Sequence, residues 1–164
     1  MSRDVRRFED LRIWQDARRF ANGVYDASRA IRDFEFRDQL QAAALSIINN
    51  IAEGFERGTD ADFARFLDVA KGSSGESRSM LYLAEDRLYV TAEIAQRLRE
   101  DAVALSKGIT KLAQYLRTSQ AQSNTRKSRA SSHSTCNLRG ESSGPQRSNC
   151  SPSSREPRLS TANL

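Results

Sequence analysis

The stretch from Leu40 to Gly54 constrains this chain more than any other. Set on a helix at about 100° per residue, Leu40, Ala43, Ala44, Ile47, Ile48, Ile51 and Phe55 share one broad apolar face. Gln39, Ser46, Asn50 and Glu53 form a polar strip along one edge of that face. The far side, charged on an ordinary surface helix, carries Ala42, Leu45, Asn49 and Ala52. A helix apolar on nearly every side belongs at the centre of its fold.

Three more amphipathic segments surround it. From Phe8 to Ile31, Leu11, Trp14, Ala17, Ala21, Val24, Tyr25 and Ser28 recur at three- and four-residue steps, opposite Arg12, Asp16, Arg19 and Asp26. Arg12 and Asp16 form an i,i+4 pair worth roughly 0.2–0.5 kcal/mol. Asp33 is a suitable N-cap for the second helix, expected from Glu35 to Phe55, with Phe34 and Phe36 folded back into the core. Gly54 and Gly58 bracket a turn, and Thr59 with Asp62 resembles a capping box. The third helix then sets Phe63, Phe66, Leu67, Ala70, Ser74, Ser77, Leu81, Ala84 and Leu88 on one face.

Lys71-Gly72-Ser73-Ser74-Gly75-Glu76-Ser77 is a poor helical stretch, since each glycine costs roughly 1 kcal/mol against alanine. It reads either as a loop between two short helices or as one helix whose small residues admit a close neighbour. The apolar face keeps its phase from Ala70 to Leu81, which favours one helix. Thr91 caps a fourth helix bearing Ile94, Leu98, Leu105, Ile109, Leu112 and Leu116, with Arg97, Arg99, Lys107 and Lys111 in solvent. Four such helices with short loops, no internal proline and no strand signal predict an all-α, antiparallel up-down-up-down four-helix bundle.

The composition changes near Arg117. Up to that residue 19 Lys and Arg balance 19 Asp and Glu; beyond it the balance is 7 against 2, so the whole net charge of +5 lies there. All three prolines, both cysteines and the single histidine also follow Arg117, while every aromatic precedes it. The reading is a bundle over 1–117 and a disordered Ser/Arg-rich tail over 118–164, with almost nothing to bury. No apolar run approaches the roughly 20 residues that span a bilayer, and the first residues are charged rather than signal-like. A cytoplasmic protein without a membrane partner is the expectation.

The bundle holds neither His nor Cys, which removes Ser-His, Cys-His and His-metal constellations. Cys136 and Cys150 with His133 do not make a zinc spacing. Glu53 and Glu76 could meet across helices 2 and 3 and, with Lys71, hold a divalent ion or move protons. The plainer reading pairs them with Arg57, Lys71 or backbone donors. Ser46, Asn50 and Ser73 are placed to hydrogen-bond between helices, because Asn in mid-helix needs a specific partner. Gly72-Ser73-Ser74-Gly75 is no phosphate loop, since no strand precedes it and the Gly-Lys-Ser/Thr ending is absent. Arg126-Lys127-Ser128-Arg129 could touch nucleic acid through phosphate charge alone. No catalytic residue, cofactor site or metal site is expected, and the chain reads as a non-enzyme.

Phe8-Glu9-Asp10-Leu11 with Trp14-Gln15 and Ala17 opens a series of recognisable motifs. Gln39-Leu40, Ser46-Ile47 and Asn50-Ile51-Ala52-Glu53-Gly54 with Arg57 follow in helix 2. Phe63, Phe66-Leu67, Ala70-Lys71-Gly72-Ser73 and Glu76 complete the series. Together they resemble the four-helix bundle proteins of the 23S ribosomal RNA intervening-sequence family, over roughly Phe8 to Leu116. The resemblance implies a bacterial bundle that assembles as a ring-like homopentamer. It also implies kinship with the accessory variability proteins of diversity-generating retroelements, which bind nucleic acid and a reverse transcriptase. The family has no established enzymatic activity, and its name records where some members are encoded. Members often carry two arginines where Gln41 and Ala42 stand here, and a proline before helix 2 that this chain lacks. The missing arginines argue against nucleic acid on that surface.

The expected function is therefore a homo-oligomeric interaction or accessory protein, with a nucleic-acid-binding accessory factor as the alternative. Its self-contact is placed on Ala42, Leu45, Asn49 and Ala52. The polar motif residues are Ser46, Asn50, Glu53, Arg57, Lys71, Ser73 and Glu76.

Overall fold

The computed structural model describes residues 5–133, and these residues form a four-helix bundle. A 3-10 turn, Phe8–Asp10, precedes α1 (Arg12–Ser28); α2 (Phe34–Glu56), α3 (Asp60–Asp86) and α4 (Ala92–His133) follow. Short loops reverse the chain at each step. Consecutive helices pack side by side and α1 closes on α4, whereas the diagonal pairs α1–α3 and α2–α4 do not approach closely. The architecture is the expected antiparallel bundle.

Helices α2, α3 and α4 start where short polar side chains satisfy their free N–H groups. Asp33 accepts from the Phe36 N–H at 3.1 Å and Thr59 from the Asp62 N–H at 3.1 Å. Thr91 accepts from the Ile94 N–H at 3.4 Å. The Thr59 hydroxyl also donates to the Asp62 carboxylate at 2.7 Å, a variant of the capping box. At α1 the extended Leu11 (φ −72, ψ 119) separates the 3-10 turn from the helix proper. That bend buries Leu11 while Phe8 packs edge-on against Trp14, with ring centroids 5.2 Å apart.

The core follows the apolar periodicity. Leu40, Ile47 and Ile51 of α2, Leu67 and Leu81 of α3, and Leu98 and Ile109 of α4 are fully buried against Ala17, Phe20 and Val24 of α1. Three large residues depart from expectation, and Tyr25 at the edge of the α1 apolar face is one, being exposed. Phe34 is exposed under the Arg37 guanidinium, while Phe36 alone turns inward and packs on Tyr89. Leu88 is 88% exposed because it takes a left-handed conformation (φ 57) just past α3. There the Tyr89 N–H bonds the Ala84 carbonyl and the Leu88 N–H bonds Glu85, the double closure of a Schellman cap.

Helix α3 is continuous through Gly72-Ser73-Ser74-Gly75, as the unbroken phase predicts. The glycines are not there to admit a neighbour within the bundle, since a Cβ on Gly72 or Gly75 would meet nothing within 4 Å. The serines do the packing instead. Gly54 lies inside α2, not in the turn, and it is the close-approach glycine: a Cβ there would stand 2.6 Å from Phe66 Cβ and 3.0 Å from Phe63 Cδ2. The turn itself falls at Gly58, whose φ of +74 suits glycine.

Helix α4 continues past Arg117 to His133. No proline occurs before Pro145 to stop it, and extending an existing helix fixes only one residue per added hydrogen bond. Residues 134–164, the remainder of the segment read as a disordered tail, lie outside the described residues.

Candidate functional site

Between Asp38 and Glu53 helix α2 carries no charged residue. Its outward face is the strip placed there from the sequence: Ala42, Leu45 and Asn49 are exposed and Ala52 is half-buried. Leu45, at 39% exposure, is the only large apolar side chain on it. No charged side chain on that stretch opposes the approach of another apolar surface.

Beside the strip runs a polar seam. Ser46 Oγ and Ser73 Oγ lie 2.8 Å apart and join α2 to α3. Asn50 Nδ2 donates back to the Ser46 carbonyl at 2.7 Å and to Ser46 Oγ at 3.0 Å. Ser77 donates to the Ser73 carbonyl at 3.0 Å, and Ser74 crosses to α4, donating to the Ala102 carbonyl at 3.0 Å. The buried serines thus close their own hydrogen bonds within the bundle, as buried hydroxyls must. Ser46 and Ser73 bond between helices as expected, whereas Asn50 does not cross to α3 and bonds back to Ser46 one turn earlier in its own helix.

The carboxylates do not. Ser46–Ser73 and Gly54–Phe66 fix the antiparallel register of α2 and α3. Glu76 therefore stands about ten residues, or ~15 Å of helix rise, from the level of Glu53. Glu53 instead pairs with Arg57 at 2.6 Å, one turn along, and raises the Arg57 pKa through that hydrogen bond. Lys71 and Glu76 are both exposed, and by the same register Lys71 stands about five residues, ~8 Å of helix rise, from the level of Glu53. The Glu53–Lys71–Glu76 constellation is not assembled, and among the described residues no group of three His, Cys, Asp or Glu side chains is placed to hold a metal ion.

One cation departs from the solvated face assigned to it. Arg99 sits over the Tyr82 ring, 4.2 Å from its centroid, and is ion-paired with Glu85. Its side chain is only 15% exposed. Arg97, Lys107 and Lys111 are exposed as expected.

The profile of the 23S rRNA-intervening sequence protein family matches residues 9–111. The chain belongs to that family. A solved structure titled as a protein of unknown function from the S23 ribosomal protein family, from Bacteroides thetaiotaomicron, superposes with a TM-score of 0.58. It is 20% identical and the match covers 62% of this chain and 95% of that one, a likeness of fold. No curated protein matches the chain.

The sequence reading missed two features of this family member. The Arg99–Glu85–Tyr82 cluster joins residues from two helices, and only the α3–α4 register aligns them. The second is a groove along α1 and α4, whose walls are separated by most of the chain. No helix among the described residues is long and apolar enough to cross a membrane.

Proposed function

We propose that this protein is a cytoplasmic, non-enzymatic interaction or accessory protein that works as a homo-oligomer assembled through the outer face of α2. One observation carries the reading: an outward helical surface with no charge between Asp38 and Glu53, centred on exposed Leu45. Small residues at 42 and 52 permit close helix approach, and Asn49 can set the register, as buried Asn does in coiled coils. A closed ring satisfies such a surface without open ends; five subunits is the number implied by the family resemblance. The test is light scattering after size exclusion. The wild-type chain is expected to run as an oligomer at tens of micromolar, and Leu45→Glu to give smaller species with an unchanged helical circular-dichroism signal. A monomeric wild type at that concentration refutes the proposal.

A nucleic-acid-associated accessory role, beside a partner such as a reverse transcriptase, is the second reading. The excess of basic residues after Arg117 favours it. Its signature is binding of an oligoribonucleotide that falls steeply with salt and weakens when Arg126, Lys127 and Arg129 are replaced by serine.

A further inference from the structure

The outer seam between α1 and α4 is grooved. Its lower part encloses about 720 Å³. Leu11 and Ile13 from the start of α1 and Leu112 and Tyr115 from α4 supply its apolar lining. Ala104 and Gly108 keep the α4 side low. Gly108 also lets Ile13 lie close, since a Cβ there would meet Ile13 Cδ1 at 3.0 Å. The trough continues upward into a second hollow of about 320 Å³ reaching Phe20 and Asp101. From Asp101 to Tyr115 it follows α4 for ~21 Å, at about 1.5 Å per residue.

Charge is distributed unevenly along it. Nine arginines of the described residues have carboxylate partners, including Arg12 and Arg19 on Asp16 at the groove's α1 wall. Lys107 and Lys111, one turn apart on the α4 wall, are exposed and have no ion-pair partner among the described residues. No acidic residue follows Asp101 on α4, so its own helix offers them none. Two uncompensated ammonium groups beside an apolar trough are complemented by a ligand that is apolar on one edge and anionic on the next. A trough several turns long between two helical ridges fits a third helix laid into the seam. Arg12 and Asp16 line both hollows and Arg19 and Asp101 the upper one; these charges balance, so the net positive excess of the groove is that of Lys107 and Lys111 in its lower part.

We propose that the α1–α4 groove docks an acidic amphipathic helix of a partner protein, its apolar edge on Ile13 and Tyr115 over a floor of buried Leu11 and Leu112, and its carboxylates on Lys107 and Lys111. The proposal names a partner class for the interaction-protein reading and rests on that reading. The groove and the α2 strip lie on different sides of the bundle, because α2 and α4 are diagonal. Self-assembly and docking are thus separable.

The experiment uses the full chain and a fluorescently labelled helical peptide of about 15 residues, long enough to span ~21 Å. Leucines occupy one edge of the peptide and glutamates flank them at one end; a control peptide has lysines in place of the glutamates. Anisotropy is expected to show saturable binding of the acidic peptide only. The K107E/K111E chain should bind it at least about tenfold more weakly, with its melting curve unchanged, and should gain binding to the lysine peptide. Equal binding of both peptides, no saturation by the acidic one, or indifference to the charge reversal overturns the proposal. So does an oligoribonucleotide that binds more tightly than the peptide and is lost on the same reversal, which would assign the lysines to phosphate. Light scattering on the same samples keeps the outcomes apart. A failed peptide with an intact oligomer removes the groove alone, and a monomeric wild type removes the assembly.

Discussion

Along the α2–α3 seam, backbone meets aromatic at Gly54 and Phe66, hydroxyl meets hydroxyl at Ser46 and Ser73, and Phe55 packs edge-on to Phe63 at 5.9 Å. Along the α1–α4 seam, glycines also allow approach, but against the tips of flexible side chains: Gly108 against Ile13 Cδ1 and Gly23 against Leu98 Cδ2. The first seam has fixed partners on both sides, while the second has give and leaves a trough on its outer edge. A glycine in a helix thus matters through what faces it. A rigid neighbour makes it indispensable, and a mobile one makes it replaceable.

Substituting the glycines tests whether the two seams differ in this way. Gly54→Ala is expected to destabilise the bundle by about 2–3 kcal/mol, because Phe66 Cβ is backbone-anchored and cannot swing away. Gly108→Ala should lie within about 1 kcal/mol of wild type, since Ile13 Cδ1 can rotate and alanine is the better helix former. Urea unfolding of the two variants measures the contrast, and equal losses would erase the distinction between the seams.

The hydroxyl pair should matter less. Ser73→Ala removes the partner of Ser46 and is expected to cost about 1 kcal/mol. A double-mutant cycle with Ser46→Ala tests whether the loss belongs to the contact: the two losses should be less than additive. Full additivity would mean that the seam is held by its apolar residues alone.

The smallest effect lies at the loop end, where the Tyr89 hydroxyl donates to Asp33 at 3.0 Å and ties the α3–α4 loop to the start of α2. That hydrogen bond, followed by burial and the Asp33 charge, raises the Tyr89 pKa above its ordinary 10.0. A tyrosine whose folded pKa is raised contributes stability that is present in full below pH 10.0 and is lost as pH climbs through the folded value. Melting temperature should therefore fall above pH 10.0 in the wild type, and Tyr89→Phe should remove that component of the fall. Identical alkaline profiles would show that the latch does not contribute.

The four helices, their three side-chain caps, the continuity of α3 and most of the core were legible from residue order alone, because caps and apolar periodicity act within a few residues along the chain. Asn50 announced that it needs a partner but not which one: an interhelical bond was expected, and the packed helix satisfies it with Ser46 one turn away. The outward strip on α2 was legible as a face, since a helix displays its own periodicity. What covers a face belongs to neighbours, and only the packed bundle decided those. Register between helices separated Glu53 from Glu76, brought Arg99 over Tyr82, and turned Gly54 from a turn residue into the point where α3 touches α2. Register also set Lys107 and Lys111 beside Leu11 and Ile13 across the longest gap in the chain. Local periodicity fixes which way a side chain points on its own helix, while the axial offset between helices is set by packing summed over every layer of the core.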